Sequence, residues 1–413
     1  MGKRRRQMTV TAATIPDDLL VSDVLVRLPA KSLARCRCVC RSWRAGIAGA
    51  AFVRRQLELS RAGQQQHPSV LSIPRWIDPL DGRATCEVIS FHRLLLPPPG
   101  RRAPAPPAIV DSELVLEKAW PEGITRLISP THCDGLVAIS TVTDRVFVCN
   151  PATGEFVALP LGSHNVGLDH CEYFVPQVAL GFDQWRSRYV VARYFYRTYT
   201  YGGGGGAGQE VFDDVGHEVL ALGAGGDWEL TQDPPYAVGV QRPMCTRWAF
   251  YWHANEPEPR LMRFGLRDRA FAVVPRPPTG WNPVDDMAAL QDGSTLCYVH
   301  AAAEASFQVW LAADDGHDEL QWSLRCRIDL LDPIPSVHYN LMPVAAADGD
   351  TLVALAGGTL WKYDMGKEGA EEVVAEMHNV RYRRRDGSKF FMDQSFESEH
   401  YIVPYIESLV AIA

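Results

Sequence analysis

Between residues 15 and 57 the apolar positions recur at helical spacing. Leu20, Val24 and Leu28 lie on one stripe, with Val21 and Leu25 beside them. Pro16 suits a first helical turn and Asp17 and Asp18 favour the positive end of a helix, so a first helix is expected from here until Pro29 stops it. Ser32 is placed to cap a second helix through Leu33 to Val39. A third would run from about Arg41 through Ile47, Phe52 and Leu57. Residues 1–13 read as a disordered basic tail and residues 60–69 (SRAGQQQHPS) as a linker. A module of about forty such residues buries too little apolar surface to stand alone, which marks it as a docking element completed by a partner.

From residue 70 the period changes. Some sixteen short apolar or alternating runs follow one another, separated by turn chemistry such as Asp134–Gly135, Asp292–Gly293, Asp386–Gly387 and the NPATG run at 150–154. A strand, a turn and a strand ending near an aromatic recur about every 40–50 residues, the period of a propeller blade. The pairs LVAIS/RVFVCN, WAFYW/RLMRFGL, TLCYV/SFQVWLA and TLVALAG/TLWKYDM carry the repeat. So many strands exceed a single open sheet, and a radial array handles their edges. The copies are too divergent to fix a blade number. The expected fold class is α+β as separate domains: a three-helix module over residues 14–59, then an all-β, propeller-like domain over residues 70–413. LPPPGRRAPAPP (96–107) and YGGGGGAGQ (201–209) read as surface loops.

Composition narrows the function. With 46% hydrophobic and 22% charged residues in 413, the chain is ordinary for a globular protein. No run reaches the roughly 18 apolar residues of a membrane span, and MGKRRRQM lacks the apolar stretch of a signal peptide. The expected location is therefore cytoplasmic, nuclear or both, with no membrane partner. Residues 1–60 carry a net charge of +8 and the remainder −16. The basic head fits an acidic partner or a weak nuclear import signal at residues 3–6, although so short a run reads first as a solvated tail, whereas the acidic remainder would repel nucleic acid.

Chemistry is sparse. The glycine run lacks the Lys-Ser/Thr of a phosphate loop, and no metalloprotease, nucleophile-elbow or kinase signature occurs. Cys36, Cys38 and Cys40 alternate, whereas zinc sites pair cysteines as C-x2-C, so neither a metal nor a cofactor is expected. His132, Cys133 and Asp134 read as a strand end and turn rather than a catalytic relay, and Asp285–Asp286 as turn or solvated-edge charges. No catalytic residue is assigned. Trp252, Trp310, Trp322 and Trp361 read chiefly as blade packing.

The opening segment resembles the F-box. Its Leu-Pro start, apolar helix, Arg-Leu-Pro, Ser-Leu, Arg, Val, basic residue and Trp correspond to Ile15–Pro16, Leu19/Leu20/Val24/Leu25, Arg27–Leu28–Pro29, Ser32–Leu33, Arg35, Val39, Arg41 and Trp43. The stretch from Pro16 to Arg27 is one residue longer than the common form, which leaves open whether Leu19, Leu20 or Val21 faces the partner. The remainder is similar to the plant F-box-associated region, through DGLVAIS (134–140), VFVCNPATGEFVALP (146–160), GFDQWRSRYVVARYF (181–195), RWAFYWH (247–253), RFGLRDRAFAVVPRPP (263–278) and a final strand YIESLVAI (405–412).

This resemblance implies a non-catalytic substrate-recognition adaptor of a Skp–cullin–F-box ubiquitin ligase. Pro16, Leu19, Leu20, Val24, Leu25, Leu28, Pro29, Leu33, Val39 and Trp43 would meet the Skp-type adaptor and, through it, cullin, while the β domain would hold a target protein whose contact residues are unknown. The alternatives are a cullin-independent F-box scaffold or transcription-linked factor and, further off, a propeller lectin or enzyme.

Overall fold

The computed structural model describes residues 16–66, 68–76, 81, 83–96, 109–169, 174–198, 200–201, 210–211, 214–223, 225–239, 241–254, 258–290, 293–330, 341–347, 350–366, 371–393 and 398–412. The basic tail, most of the proline-rich loop and most of the glycine-rich loop lie outside these residues.

The N-terminal module has four helices among the described residues, α1 (Asp17–Leu19), α2 (Ala30–Cys36), α3 (Arg41–Ala48) and α4 (Ala50–Gln66). The expected third helix is two, because Gly49 is extended (φ −67°, ψ 136°) and breaks the run. The second helix is capped at Pro29 rather than Ser32 and stops at Cys36. Cys40 is extended in turn, and its Sγ accepts the Trp43 N–H at 3.4 Å to cap α3. After α1 the chain continues as a π-turn over Leu20–Val24 and a 3-10 turn over Leu25–Arg27. The Leu25 N–H reaches the Leu20 carbonyl five residues back. A π-turn takes up one residue more than an α-turn, so the residue in excess of the common form is absorbed here. Residues 60–66, read as linker, are the last turns of α4, and the first strand begins at Ser69.

The β domain is a propeller, as its sequence repeat predicts. Among the described residues six four-stranded antiparallel sheets form its blades. Blade 1 joins Ser398–Pro404 to Ser69–Trp76, Thr85–Leu95 and Glu113–Thr125. Blade 2 runs through Ile128–Cys133, Leu136–Thr141, Val146–Asn150 and Glu155–Ala158, and blade 3 through Val178–Asp183, Arg188–Tyr196, Val215–Ala221 and Glu229–Leu230. Met244–Cys245, Ala249–Ala254, Arg260–Gly265 and Phe271–Val274 make blade 4. Blade 5 is Asp286–Leu290, Thr295–Ala303, Ser306–Ala313 and Ser323–Asp329, and blade 6 is Met342–Ala347, Thr351–Ala356, Thr359–Asp364 and Glu371–Glu376. A seventh, three-stranded sheet of Lys389–Phe390, Val380–Arg383 and Val110–Asp111 packs outside the seam between blades 6 and 1.

The innermost strands surround an axial cavity of about 70 Å³, lined by Thr131, Leu180, Met244, Ala288, Val344 and Val403, one from each blade. The C-terminal strand closes the ring by pairing with the first N-terminal strand, Leu71 opposite Val403. All four strand pairs that carried the sequence repeat are the second and third strands of blades 2, 4, 5 and 6. Packing between blades is aromatic and aliphatic. Trp252, fully buried, meets Tyr194 of the neighbouring blade edge-on with centroids 5.7 Å apart.

Two expectations are corrected by this packing. Asp285 and Asp286 are buried rather than solvated. Asp285 accepts hydrogen bonds from the Tyr298 hydroxyl (2.8 Å) and the Ala301 N–H (2.9 Å), so the fold supplies the donors that a buried carboxylate requires. Residues 405–412 form no strand. The last strand ends at Pro404, and the segment beyond it leaves the sheet toward the helical module.

Candidate docking surface

The helical module shares its core with the propeller. Leu25, Val26, Ala30, Leu33, Ile47 and Phe52 form one buried cluster with Leu409, and Ala152 of blade 2 packs against it. Helix α4 turns Leu57 to the other side, into a cluster with Leu136, Leu220 and Val410. The C-terminal segment is thus wedged between the two parts.

Polar contacts fix that wedge. Asn150, the first residue of the NPATG turn, accepts the Ala152 N–H at 3.0 Å and donates to the carbonyls of Ser408 (3.1 Å) and Val410 (2.8 Å). Gln56 of α4 donates to the Glu407 carbonyl at 3.1 Å, and the Lys31 N–H donates to the Glu407 carboxylate at 3.3 Å. Asp134 sits in the turn after the first strand of blade 2, with φ 53°, followed by Gly135 at φ 84°. This is the left-handed pair that an Asp-Gly hairpin provides. A Cβ at Gly135 would lie 2.2 Å from the Ile406 carbonyl oxygen, so the glycine also makes room for the wedge. Arg61 of α4 donates to Asp134 Oδ1 through Nε (3.0 Å) and a terminal nitrogen (2.6 Å), and Tyr189 donates to Oδ2 (2.9 Å). Burial opposes the charge on Arg61, but the Asp134 carboxylate outweighs it and raises the guanidinium pKa. His132 and Cys133 therefore flank a structural anchor, not a relay.

The ten residues expected to meet a partner fall into three groups. Leu25 and Leu33, at 4% and 0% exposure, are consumed by the internal core and cannot touch a partner in this fold. Leu20, Leu28 and Trp43 are half-buried at its rim. Pro16, Leu19, Val24, Pro29 and Val39 are exposed, with Leu19, Val24 and Val39 among the large apolar side chains that face solvent. At the π-turn Leu19 points out, while Leu20 and Val21 are half-buried. Arg27, Arg35, Arg37, Arg41 and Arg44 of the same module are also exposed. The module thus presents both apolar and basic side chains to solvent. Among the described residues no group of three or more His, Cys, Asp or Glu side chains is placed to hold a metal, and no helix is long and apolar enough to cross a membrane.

Residues 115–344, more than half of the chain, match the family model described as the F-box associated beta propeller domain, and residues 12–55 match the F-box-like model. The chain belongs to the F-box-associated β-propeller family. Its F-box-like region precedes the propeller, in the order the sequence resemblance implies. An F-box/LRR-repeat protein of Arabidopsis thaliana is 26% identical over 303 residues, 70% of this chain and 62% of the relative. A putative F-box protein of the same plant is 25% identical over 359 residues, 84% of this chain and 81% of the relative. For the first of these, and for a second putative F-box protein matched over 65% of its length, the chain spans less than two thirds of the relative. Among solved structures, a chain of the nidogen/laminin complex is similar with a TM-score of 0.44 and 11% identity, covering 82% of this chain and 99% of that one. The Dos1 propeller is similar with a TM-score of 0.41 and 9% identity, covering 79% and 75%.

The split between buried and exposed positions of the module was only partly visible in sequence. Helical periodicity places Leu28 and Leu33 alike among apolar positions, and it carries no trace of Leu409, which arrives from the far end of the chain and buries one side of the module.

Proposed function

We propose that this protein is the substrate-recognition subunit of a plant Skp–cullin–F-box ubiquitin ligase, working in the cytoplasm or nucleus. The exposed side chains of Leu19, Val24 and Val39, with half-buried Leu20, Leu28 and Trp43, dock on a Skp-type adaptor that brings cullin. The propeller holds the target protein. The observation that carries the reading is these exposed apolar side chains on an F-box-like module whose own core is already full. Apolar side chains left over after the core is complete are available only to a partner, and a helix-lined apolar surface is a common protein-docking mode.

Catalysis on this reading is proximity. The wedge of residues 405–412 and the Arg61–Asp134 pair join the adaptor-binding module to the propeller, so a bound target stands at a set distance from the ubiquitin-loaded enzyme. The subunit needs no nucleophile of its own. The test is reconstitution with a Skp-type adaptor and cullin, followed by ubiquitin transfer to a co-purified target. Adaptor binding without cullin would favour the cullin-independent scaffold instead.

A further inference from the structure

The first blade carries a pocket at the end away from the helical module. Ser69, where its first N-terminal strand starts, exchanges hydrogen bonds with Gln64 of α4 at 2.6 and 3.0 Å. Trp76, where that strand ends, lines the pocket. Seven residue steps of extended chain separate the two by ~23 Å. The pocket holds about 290 Å³, near the lower limit of about 300 Å³ for small-molecule sites and suited to one large side chain. Pro74, Trp76, Val88 and Phe390 supply apolar walls. Trp76 and Val88 remain 38% and 37% exposed, and the Trp76 and Phe390 rings stand 5.9 Å apart.

Its charge is unusual for the domain. Arg75, Arg126 and Arg384 line the pocket with Glu87 and Glu117. Arg75 is 2% exposed and donates to the carbonyls of Arg126 (3.2 Å), Ile124 (3.0 Å), Val88 (3.5 Å) and Thr125. Among the described residues no carboxylate forms an ion pair with it. Arg384 lies 5.0 Å over the Phe390 ring, and neither it nor Arg126 forms an ion pair with a described residue. The adjoining turn exposes Arg383, Arg385 and Lys389 as well. This cluster sits on a domain whose net charge is strongly negative outside the first sixty residues. Buried cationic charge with no ion-pair partner among the described residues, beside two further arginines and an apolar cleft, is complementary to an anionic ligand with an apolar anchor.

We infer that this pocket on blade 1 is where the target protein is read, through a segment in which acidic residues flank one aromatic or large aliphatic side chain. The inference rests on the substrate-receptor reading given above and adds a site and a recognition chemistry to it. The anchor fills the space between Trp76, Val88 and Phe390, while the acidic side chains pair with Arg126 and Arg384. Glu87 and Glu117 limit how much negative charge the pocket accepts, which disfavours the continuous phosphates of nucleic acid.

The test is selection of phage-displayed random short peptides on the purified full chain, followed by anisotropy with the enriched peptides. Enriched sequences are expected to carry Asp or Glu around Trp, Phe or Leu. Affinity is expected to fall about tenfold or more in Arg126→Glu with Arg384→Glu, because like charge then faces the ligand. A Trp76→Ala variant should weaken the same peptides. Circular dichroism and retained binding of the Skp-type adaptor verify that both variants are folded. The inference is overturned if no sequence is enriched, if enriched sequences lack acidic residues, if the charge-reversed variant binds them equally, or if labelled single-stranded DNA displaces them. Any of these with adaptor binding intact removes the pocket assignment and leaves the ligase reading standing. Loss of adaptor binding by the wild-type chain would instead strike at that reading.

Discussion

The helical module and the propeller bury their apolar residues in different ways. Each blade presses two faces against its neighbours, so residues such as Trp252, Tyr251 and Phe264 are fully enclosed by the domain itself. The module has one internal layer around Leu33 and Ile47, borrows Leu409 to close it, and leaves Leu19, Val24 and Val39 in solvent. A propeller is complete when its ring closes. The module is complete on one side only, and the open side is the surface available to a partner. Burial thus separates the residues that hold the module together from those left in solvent.

That contrast can be broken at several points. Removing residues 405–413 takes away Leu409, the Glu407 contacts to Gln56 and Lys31, and both carbonyls held by Asn150. The truncated chain is expected to lose adaptor binding in a pull-down and to melt earlier by circular dichroism. By the same reasoning residues 1–60 alone should bind adaptor poorly. Next in size, Leu33→Ala empties a fully buried site and should destabilise the module by about 2–5 kcal/mol, read by denaturant unfolding. Arg61→Ala removes both guanidinium hydrogen bonds from Asp134, 6% exposed, and leaves the one from Tyr189. Since Arg61 itself is 32% exposed, the expected cost is about 1–3 kcal/mol.

Acid should act on the propeller rather than on the module, which has no histidine between residues 16 and 66. Burial lowers the pKa of His92 and His253 to about 4, and of His217 to about 3. These groups bind protons in the unfolded chain from about pH 6.5 downward but not in the folded one. The stability they allow is therefore present above pH 6.5 and is lost as pH falls toward the folded values. At about pH 5 each should cost on the order of 2 kcal/mol. Melting temperatures measured across this range should fall, and a flat profile would show that these rings are not held neutral.

Much of the architecture was legible in the chain. Strand pairs in blades 2, 4, 5 and 6 have apolar runs joined by short turns, so their signal is local. Blade 1 was obscure because the ring closes there between residues far apart in sequence. Its strand pair Thr85–Leu95 and Glu113–Thr125 also carries register shifts that interrupt the alternation. Asp285 looked like a surface acid because its partners Tyr298 and Ala301 are supplied by the next strand. In the helical module the motif marked the segment that the F-box-like model matches. The split between inward Leu25 and Leu33 and outward Leu19, Val24 and Val39 depends on the π-turn and on Leu409, neither of which helical periodicity records.

The smallest expected change in stability accompanies the most informative loss of binding. Leu19→Asp, Val24→Asp and Val39→Asp together replace three exposed side chains, each substitution being worth within about 0.5 kcal/mol. Binding of the full-length triple variant to a purified Skp-type adaptor, measured by calorimetry beside its thermal melt, tests the account most directly. The account predicts an unchanged melt with adaptor binding abolished. Wild-type affinity in a normally folded variant would contradict it.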